Sequence, residues 1–382
     1  MVGSTPTTRG MVMVAGPVSG RRNFVILPAK VEVEVGGRLQ VPVFKQHADL
    51  VVRGLRAFLN LEAGVTRVGA SGAGPGKGAG GAATGGAAGS VASNGAPARR
   101  GAVKPENIVW IFGSGRSGST WLSSMMGDMK GHALWGEPWV GTLFGNFYYS
   151  QSEGLRNNPQ FILGRHRESW IGSIRNLLLE AATVTFPNIK ENDFLIIKEP
   201  NGSVGAPLLM EAVPESRMVL LVRDPRDIVA SALDGRREGG WHYEKHKAQL
   251  YEQGRKAPEK NSVAFAEARA SNYLQGMGNA KAAYDAHRGP KVLIRYEELN
   301  ADTLGTMQRL YSTLGVLVDE GELARVVEKH SWENIPEEER GEGKFYRKAT
   351  PGGWREDLTA EQAEAVERVT APLLEAFYPE KA

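Results

Sequence analysis

The sequence predicts an α/β fold built around a parallel β-sheet, because apolar strand segments alternate with helical segments from residue 107 onward. Four runs have the continuous apolar texture of strands buried on both faces: 107–112, 194–198, 218–222 and 291–296. Five segments show the helical spacing of apolar residues: 119–130, 171–184, 225–236, 262–285 and 303–315. Together they predict a three-layer α/β/α domain over residues 106–382.

Three segments precede this domain. Residues 1–20 are expected to form a flexible leader. In residues 21–62, period-two patterns on both sides of Gly36-Gly37 and a helical pattern after them predict a small ββα unit. Docking, packing of a lid and homo-oligomerisation are all open roles for this unit. Residues 63–105 contain no Asp or Glu and are dominated by Gly, Ala and Ser, which predicts a disordered linker.

The composition excludes several classes of protein. Lys and Arg number 46 against 43 Asp and Glu, a net charge of +3, so no nucleic-acid partner is expected. The absence of cysteine excludes disulfides, thiolate catalysis and cysteine-ligated metal centres, and it is compatible with a cytoplasmic location. No run of about 18 apolar residues occurs, so no transmembrane segment is expected.

A glycine- and serine-rich loop at 113–120 joins the first predicted strand to the first predicted helix. Such a loop turns backbone N–H groups towards an anion, and the helix N-terminus adds further donors. Gly113, Gly118 and Thr120 have the spacing of a nucleotide-binding P-loop. Ser119 stands where that motif has lysine, and the cation is Arg116 inside the loop. The loop therefore predicts a phosphate site that differs from that of an ordinary ATPase.

The stretch R-S-G-S-T-W at 116–121 resembles the 5′-phosphosulfate loop of sulfotransferases, which use 3′-phosphoadenosine 5′-phosphosulfate (PAPS) and have a variant of the P-loop fold. Gly115 takes the place of the usual proline. The resemblance covers about residues 105–380. It implies PAPS as the sulfuryl donor and no metal. The residues it assigns to the donor here are Arg116, Ser117, Gly118, Ser119, Thr120 and Trp121, the last stacking on adenine.

Two later segments resemble the 3′-phosphate site of the same family. Arg223 ends a predicted strand and Ser231 follows eight residues later, as in family members. An arginine fork suits a phosphate because it forms paired, charge-assisted hydrogen bonds. The segment 343–356 resembles the late R-K-G motif through Arg347 and Lys348, with Ala349 in place of glycine. Tyr296, at a predicted strand end, matches the residue near the adenine.

The catalytic residues are also implied by this resemblance. Arg116 is expected to contact the sulfuryl group and the bridging oxygen, and Lys198 to stabilise the transition state. The histidine base of cytosolic sulfotransferases is missing, because Pro200 stands in its place. Glu137 resembles the base of tyrosylprotein and several bacterial sulfotransferases, with Glu199 in reserve and His242 as a third candidate. A base must take the acceptor's proton as the sulfuryl group moves.

The resemblance implies transfer of a sulfuryl group from PAPS to an acceptor hydroxyl or amine. A small-molecule P-loop kinase and a non-catalytic phosphonucleotide-binding module are the alternatives. The class of acceptor is not encoded in any motif. The aromatic region 139–170 predicts either an acceptor pocket or core, and the charged segment 236–262 predicts either a mobile lid or a solvated surface.

Overall fold

The computed structural model describes residues 13–14, 25–26, 103–150, 155 and 158–379. The chain divides into two compact units, Met1–Gly86 and Ala87–Ala382. In the first, β1 (Met13–Val14) pairs antiparallel with β2 (Val25–Ile26). Apart from those four residues and 103–105, the predicted leader (1–20), ββα unit (21–62) and linker (63–105) lie outside the described residues.

Five described strands of the second unit form one parallel sheet. They are β3 (Ile108–Phe112), β4 (His132–Gly136), β5 (Phe194–Lys198), β6 (Arg217–Val222) and β7 (Lys291–Arg295). Their order across the sheet is β4-β5-β3-β6-β7, and every neighbouring pair is parallel. The predicted α/β fold with a parallel sheet is therefore confirmed.

The strand order sets the place of the functional loops. The central strand β3 pairs with β5 on one side and β6 on the other, with Ile111 opposite both Lys198 and Val219. Because all five strands run in the same direction, the loops that follow them emerge at one edge of the sheet. The predicted phosphate loop and the polar residues after β5, β6 and β7 meet there.

The helices flank the sheet. They are α1 (Ser119–Gly127), α2 (Val140–Ser150), α3 (Ile162–Arg165), α4 (Arg167–Thr185), α5 (Ala206–Ala212), α6 (Pro225–Arg236), α7 (Trp241–Glu252), α8 (Val263–Ala286), α9 (Tyr296–Ala301), α10 (Thr303–Leu314), α11 (Glu320–Lys329), α12 (Trp354–Asp357) and α13 (Ala360–Phe377). Short 3₁₀ turns occur at Pro105–Asn107, Pro200–Gly205, Trp332–Asn334 and Glu337–Glu339. The five predicted helices correspond to α1, α4, α6, α8 and α10.

Two apolar cores lie on opposite faces of the sheet, as a three-layer fold requires. Along β3, Ile108, Trp110 and Phe112 pack in the core that also contains residues of α4, α5 and α8. The alternate residues Val109 and Ile111 pack in the core with α1, α10 and α11. Successive side chains of a strand point to opposite faces, so a strand covered on both sides is apolar throughout. No helix in the described part of the chain is long and apolar enough to cross a membrane.

Candidate active site

The predicted phosphate loop connects β3 to α1 and has the backbone of an anion cradle. Gly118 precedes α1 with a φ of 88°, in the left-handed region that favours glycine. The Gly113 N–H donates to Ser203 Oγ at 3.0 Å, which ties the loop to the turn after β5. Ser117 Oγ is fully buried and has no hydrogen-bond partner in the described structure. An unpaired buried hydroxyl is costly, and an anion in the loop would satisfy it.

Arg116 also has a positive φ, 76°, and its side chain leaves the loop in a direction that the sequence reasoning did not expect. Its Nε donates to Ser231 Oγ at 3.0 Å and its Nη2 to the Phe345 carbonyl at 2.6 Å. Burial, with Arg223 and Arg347 nearby, lowers the pKa of Arg116 to about 10. Its guanidinium therefore lies among the residues predicted for the 3′-phosphate, whereas Glu137 and Lys198 meet without it.

The predicted pair Arg223 and Ser231 lies beside the phosphate loop. Arg223 Nη1 donates to the Arg116 carbonyl at 3.0 Å. The guanidinium covers the Tyr296 ring, with 4.1 Å from Cζ to the ring centroid. Its Nε is buried and without a hydrogen-bond partner in the described residues. Since Ser231 is bonded to Arg116, the loop and both predicted 3′-phosphate residues form one connected basic site.

The late segment 343–354 is anchored to α6. Asp227 accepts hydrogen bonds from the N–H groups of Gly352 at 2.8 Å and Trp354 at 3.0 Å. Asp234, further along the same helix, accepts a hydrogen bond from the Gly343 N–H at 2.8 Å. Ala349 adopts a φ of 50°, so alanine here takes the left-handed backbone that glycine supplies in the motif it resembles. The two acidic side chains thus hold this segment across the cleft.

The two basic residues of that segment both line the cleft, and both have acidic partners. Arg347 Nη1 pairs with Asp357 Oδ2 at 2.6 Å. Lys348 Nζ contacts Glu356 at 3.1 Å and Asp357 at 3.0 Å. The segment therefore brings Arg347 and Lys348 to the site, where acidic neighbours on α12 share their charge.

Glu137 and Lys198 meet at the edge of the sheet because their strands are neighbours. β4 and β5 pair with Gly136 opposite Lys198, and the Glu137 N–H donates to the Lys198 carbonyl at 2.8 Å. Lys198 Nζ donates to Glu137 Oε1 at 2.7 Å and reaches Thr120 Oγ1 at 3.3 Å. Glu137 has a φ of 53°, a strained conformation of the kind that clusters at functional sites. A carboxylate, an ammonium group and the end of the phosphate loop are thereby brought together.

Asn201 is part of this group, although the sequence reasoning did not select it. Its Nδ2 donates to Glu137 Oε2 at 2.9 Å, so both carboxylate oxygens of Glu137 are held. Its position, three residues after Lys198 at the carboxyl end of a parallel strand, was the available signal. The motif itself carries no reason to choose an asparagine there.

Glu199, the reserve base, has a different environment. It is buried, and its carboxylate accepts from the N–H groups of Trp139 at 3.1 Å and Gly141 at 3.2 Å, at the start of α2. Burial raises its pKa to about 7. It is absent from the described lining of the cleft, whereas Glu137 is part of it. Glu199 therefore holds the loop that carries Glu137, and Glu137 is the carboxylate exposed to a substrate.

The aromatic side of the cleft is formed by Trp121 and Tyr296, whose ring centroids are 6.3 Å apart in an edge-on arrangement. Trp121 Nε1 donates to the His330 carbonyl at 2.8 Å, which fixes the indole. A Cβ on Gly118 would lie 2.6 Å from Tyr296 Cδ2, so only glycine fits against the edge of that ring. Both aromatic residues line the cleft.

The two regions for which the sequence left alternatives open, 139–170 and 236–262, each contribute a residue to the cleft. Within 139–170, Trp139 is half exposed at the cleft, while Phe144 packs on Trp170 beside the core with ring centroids 6.0 Å apart. The segment 236–262 contains α7, where His242 lines the cleft. Burial and nearby cations, led by Arg236, lower the pKa of His242 to about 4.

The cleft has a volume of about 570 Å³. Its lining includes the predicted residues Arg116, Gly118, Ser119, Thr120, Trp121, Glu137, Arg223, Ser231, Tyr296, Arg347 and Lys348. Two other predicted residues are not part of this lining. Lys198 contacts Thr120, which lines the cleft, and Ser117 lies within the phosphate loop. No group of three or more His, Cys, Asp or Glu side chains that could hold a metal ion occurs among the residues the structure describes.

A family model described as the sulfotransferase domain matches residues 106–378. The chain belongs to the sulfotransferase domain family. This match confirms the prediction of a PAPS-dependent sulfotransferase, and it begins and ends close to the predicted limits of the domain. Ser117 Oγ in the phosphate loop and Arg223 Nε at the cleft are both buried and without a hydrogen-bond partner among the described residues, as suits groups that would face the anionic ends of such a donor.

Solved structures of sulfotransferases are similar to this chain in fold. The mouse sulfotransferase SULT7A1 complexed with PAP is 15% identical, with a TM-score of 0.44, and the alignment covers 72% of this chain and 86% of the mouse chain. The sulfotransferase STF9 from Mycobacterium avium is 14% identical, with a TM-score of 0.46, and covers 72% of this chain and 78% of its own. Comparison with curated protein sequences finds no match.

Proposed function

We propose that this sulfotransferase moves the sulfuryl group of PAPS to an acceptor hydroxyl or amine, with Glu137 as the general base. The observation that supports this most directly is the contact of Glu137 with Lys198, 2.7 Å apart beside Thr120 at the end of the phosphate loop. The loop that binds the donor thus lies next to a carboxylate and a cation that a transfer reaction needs. A cytoplasmic location is part of the proposal, in keeping with a chain that contains no cysteine.

The donor site follows from the basic and aromatic residues of the cleft. The backbone N–H groups and hydroxyls of residues 113–120 hold the 5′-phosphosulfate, with Ser117 among them. Arg223 and Ser231 hold the 3′-phosphate, and Arg347 and Lys348 close over it from the late segment. Trp121 and Tyr296, which meet edge to face, form the aromatic wall on which the adenine packs.

Arg116 has a revised role in this proposal. Its hydrogen bonds to Ser231 and to the Phe345 carbonyl assign it to the 3′-phosphate side. The negative charge that develops on the bridging oxygen is then met by Lys198 and by the N–H groups of the loop. A rotation of Arg116 back into the loop on donor binding would restore the role expected from the sequence.

In the transfer step, a bond forms from the acceptor's oxygen or nitrogen to sulfur while the bond from sulfur to the 5′-phosphate oxygen breaks. PAPS supplies the activated sulfuryl group, and adenosine 3′,5′-bisphosphate leaves with the bonding electron pair. Glu137 takes the acceptor's proton, and Asn201 keeps the carboxylate oriented towards it. Lys198 donates to the oxygens around the sulfur, since its ammonium already reaches Thr120.

The first experiment is thermal unfolding with adenosine 3′,5′-bisphosphate, with 5′-AMP, and with ATP and Mg²⁺. A ligand at about 100 times its Kd stabilises the folded state by about 2.7 kcal/mol. The bisphosphate alone is expected to raise the unfolding temperature. A shift with ATP and Mg²⁺ only would favour a P-loop kinase and contradict the proposal.

The role of Glu137 is tested by Glu137→Gln, with Glu364→Gln on the exposed face of α13 as the matched control. The Glu137 variant is expected to bind the bisphosphate with unchanged affinity and to lose at least about a hundredfold in turnover of PAPS, the usual contribution of a general base. Wild-type turnover by this variant would remove Glu137 from the mechanism. Binding without turnover by the wild-type protein, for any acceptor, would favour a non-catalytic module.

A further inference from the structure

A group of basic side chains lines the cleft on the side away from the sheet. We call it the basic cluster; its members are Arg236, His242, Lys245, His246 and Arg269. They come from three elements: the end of α6, one face of α7 and the first half of α8. Residues three and four apart on a helix share a face, so the three members on α7 point to the same side.

The basic cluster has no acidic partner in the described parts of the chain, where no hydrogen bond or ion pair to a carboxylate is found for any member. Arg269 Nε and His242 Nδ1 are buried and lack a hydrogen-bond partner among the described residues. Other cations of the site, such as Arg116, Arg347 and Lys348, are bonded to protein groups. Half-buried arginines such as Arg236 and Arg269 are costly without an anionic partner, so they point to a ligand that pairs with them.

The electrostatic environment agrees with this geometry. Burial, with Arg269 and Arg255 nearby, lowers the pKa of Arg236 to about 10. Burial, with Arg236, Arg269 and Lys245 nearby, lowers the pKa of His242 to about 4, so this ring is neutral near pH 7 and the arginines carry the positive charge. An anion bound among these side chains would relieve both the repulsion and the lost hydration.

The basic cluster adjoins the proposed 3′-phosphate site at Arg236, whose charge acts on Arg116, and extends beyond it. Arg236 lies five residues beyond Ser231 on α6, about 7.5 Å further along the helix axis at 1.5 Å per residue. Arg269 also borders a second cavity together with Gly115 and Asn201. Because Asn201 holds Glu137, this places Arg269 on the side where an acceptor must approach the base.

We propose that the acceptor of this sulfotransferase carries an anionic group, a carboxylate, phosphate or sulfate, which the basic cluster binds while the hydroxyl or amine faces Glu137. This inference rests on the proposed function, because it concerns the second substrate of the same site. The open cleft of about 570 Å³ offers room for donor and acceptor together. Arg236 and Arg269 supply the paired donors that suit such an anion.

The test begins with the wild-type protein saturated with adenosine 3′,5′-bisphosphate. Binding is measured by calorimetry for two matched series: 4-hydroxyphenylacetate, tyrosol and tyramine, then glucuronate, glucose 6-phosphate and glucose. At least one anionic member is expected to bind about tenfold or more tightly than its neutral counterpart, a difference of about 1.4 kcal/mol. Comparison of glucuronate with glucose 6-phosphate separates a carboxylate from a phosphate. Equal binding of the anionic and the neutral members, or no binding by any anionic member, overturns the proposal.

The second arm uses the double variant Arg236→Gln with Arg269→Gln, and Arg325→Gln on the exposed face of α11 as control. The double variant is expected to lose the anionic preference and to raise KM for the anionic acceptor about tenfold, with affinity for the bisphosphate unchanged. A tenfold loss of bisphosphate affinity would assign the cluster to the donor and overturn the inference. Failure of the wild-type protein to bind the bisphosphate at all would instead contradict the proposed function. The wild-type series needs no variant, so it decides the matter even if the double variant does not fold.

Discussion

Replacement of Gly118 by alanine perturbs the site at one defined point. Gly118 has a φ of 88°, and an added Cβ would lie 2.6 Å from Cδ2 and 2.8 Å from Cε2 of Tyr296. The Tyr296 ring is buried and lies beneath the guanidinium of Arg223 at 4.1 Å. The added Cβ meets the edge of this ring, so the substitution strains the loop, and any shift of the ring disturbs Arg223, a proposed phosphate ligand that packs on its face.

The magnitude follows from three contributions. A left-handed conformation costs a residue with a Cβ about 1–2 kcal/mol. Overpacking against a buried ring adds about 1–3 kcal/mol. The loss of backbone freedom in the unfolded chain offsets about 0.4–1 kcal/mol. The free energy of unfolding of Gly118→Ala is therefore expected to fall by about 2–4 kcal/mol.

The assay is urea unfolding followed by far-ultraviolet circular dichroism, together with calorimetric titration of adenosine 3′,5′-bisphosphate. Gly278→Ala is the matched control, because Gly278 lies inside α8 and a Cβ there meets nothing within 4 Å. That control is expected to gain about 0.5–1 kcal/mol, since alanine favours a helix over glycine. If Gly118→Ala is as stable as the wild type and binds the bisphosphate equally well, the account of this loop is wrong.

Two further predictions concern carboxylates that hold the loops of the site. Burial raises the pKa of Glu199 from 4.5 to about 7, so the folded state binds this proton more tightly than the unfolded state. This stabilisation of about 3 kcal/mol is complete below about pH 4.5 and is lost as the pH rises through 7. Glu199→Gln should remove that part of the pH dependence. The measurement is urea unfolding of both proteins at about pH 5 and about pH 8. Asp227→Asn leaves one oxygen to accept the two N–H groups of the segment 350–354, so calorimetry should show affinity for adenosine 3′,5′-bisphosphate about tenfold weaker. An unchanged pH profile in the first case, or an equal loss with Glu364→Gln in the second, would contradict these assignments.

The parts of the fold that sequence reasoning found are those with strong local signals. Three of the four predicted strands, β3, β5 and β6, are buried along almost their whole length, so each is a continuous apolar run that stands out from its surroundings. The fourth, β7, lies at the sheet edge with alternating burial, but its central residues 292–294 are all apolar. β4 was missed, because this edge strand is only half buried and contains the polar His132. Helices such as α7 were missed for a related reason, since α7 contains no buried residue and shows little apolar periodicity.

The candidate site shows the same division. The loop and its glycines were predictable, because the spacing Gly113 to Gly118 is a local property with a known use. The direction of the Arg116 side chain was not, since it depends on Ser231 and Phe345, which are 115 and 229 residues away in sequence. Asn201 was missed because its importance comes only from the carboxylate it contacts.

The sequence by itself determined the class of fold and the family of the enzyme, because strand texture and motif spacing are properties of neighbouring residues. The tertiary structure decided which of those residues meet. Glu137 and Lys198 are 61 residues apart in sequence, and they touch because β4 and β5 pair in parallel with a register that aligns their ends. It also separated Glu199, buried under α2, from Glu137 at the cleft, although both are carboxylates near a strand end. Burial and contact are properties of the packed chain, and no local pattern specifies them.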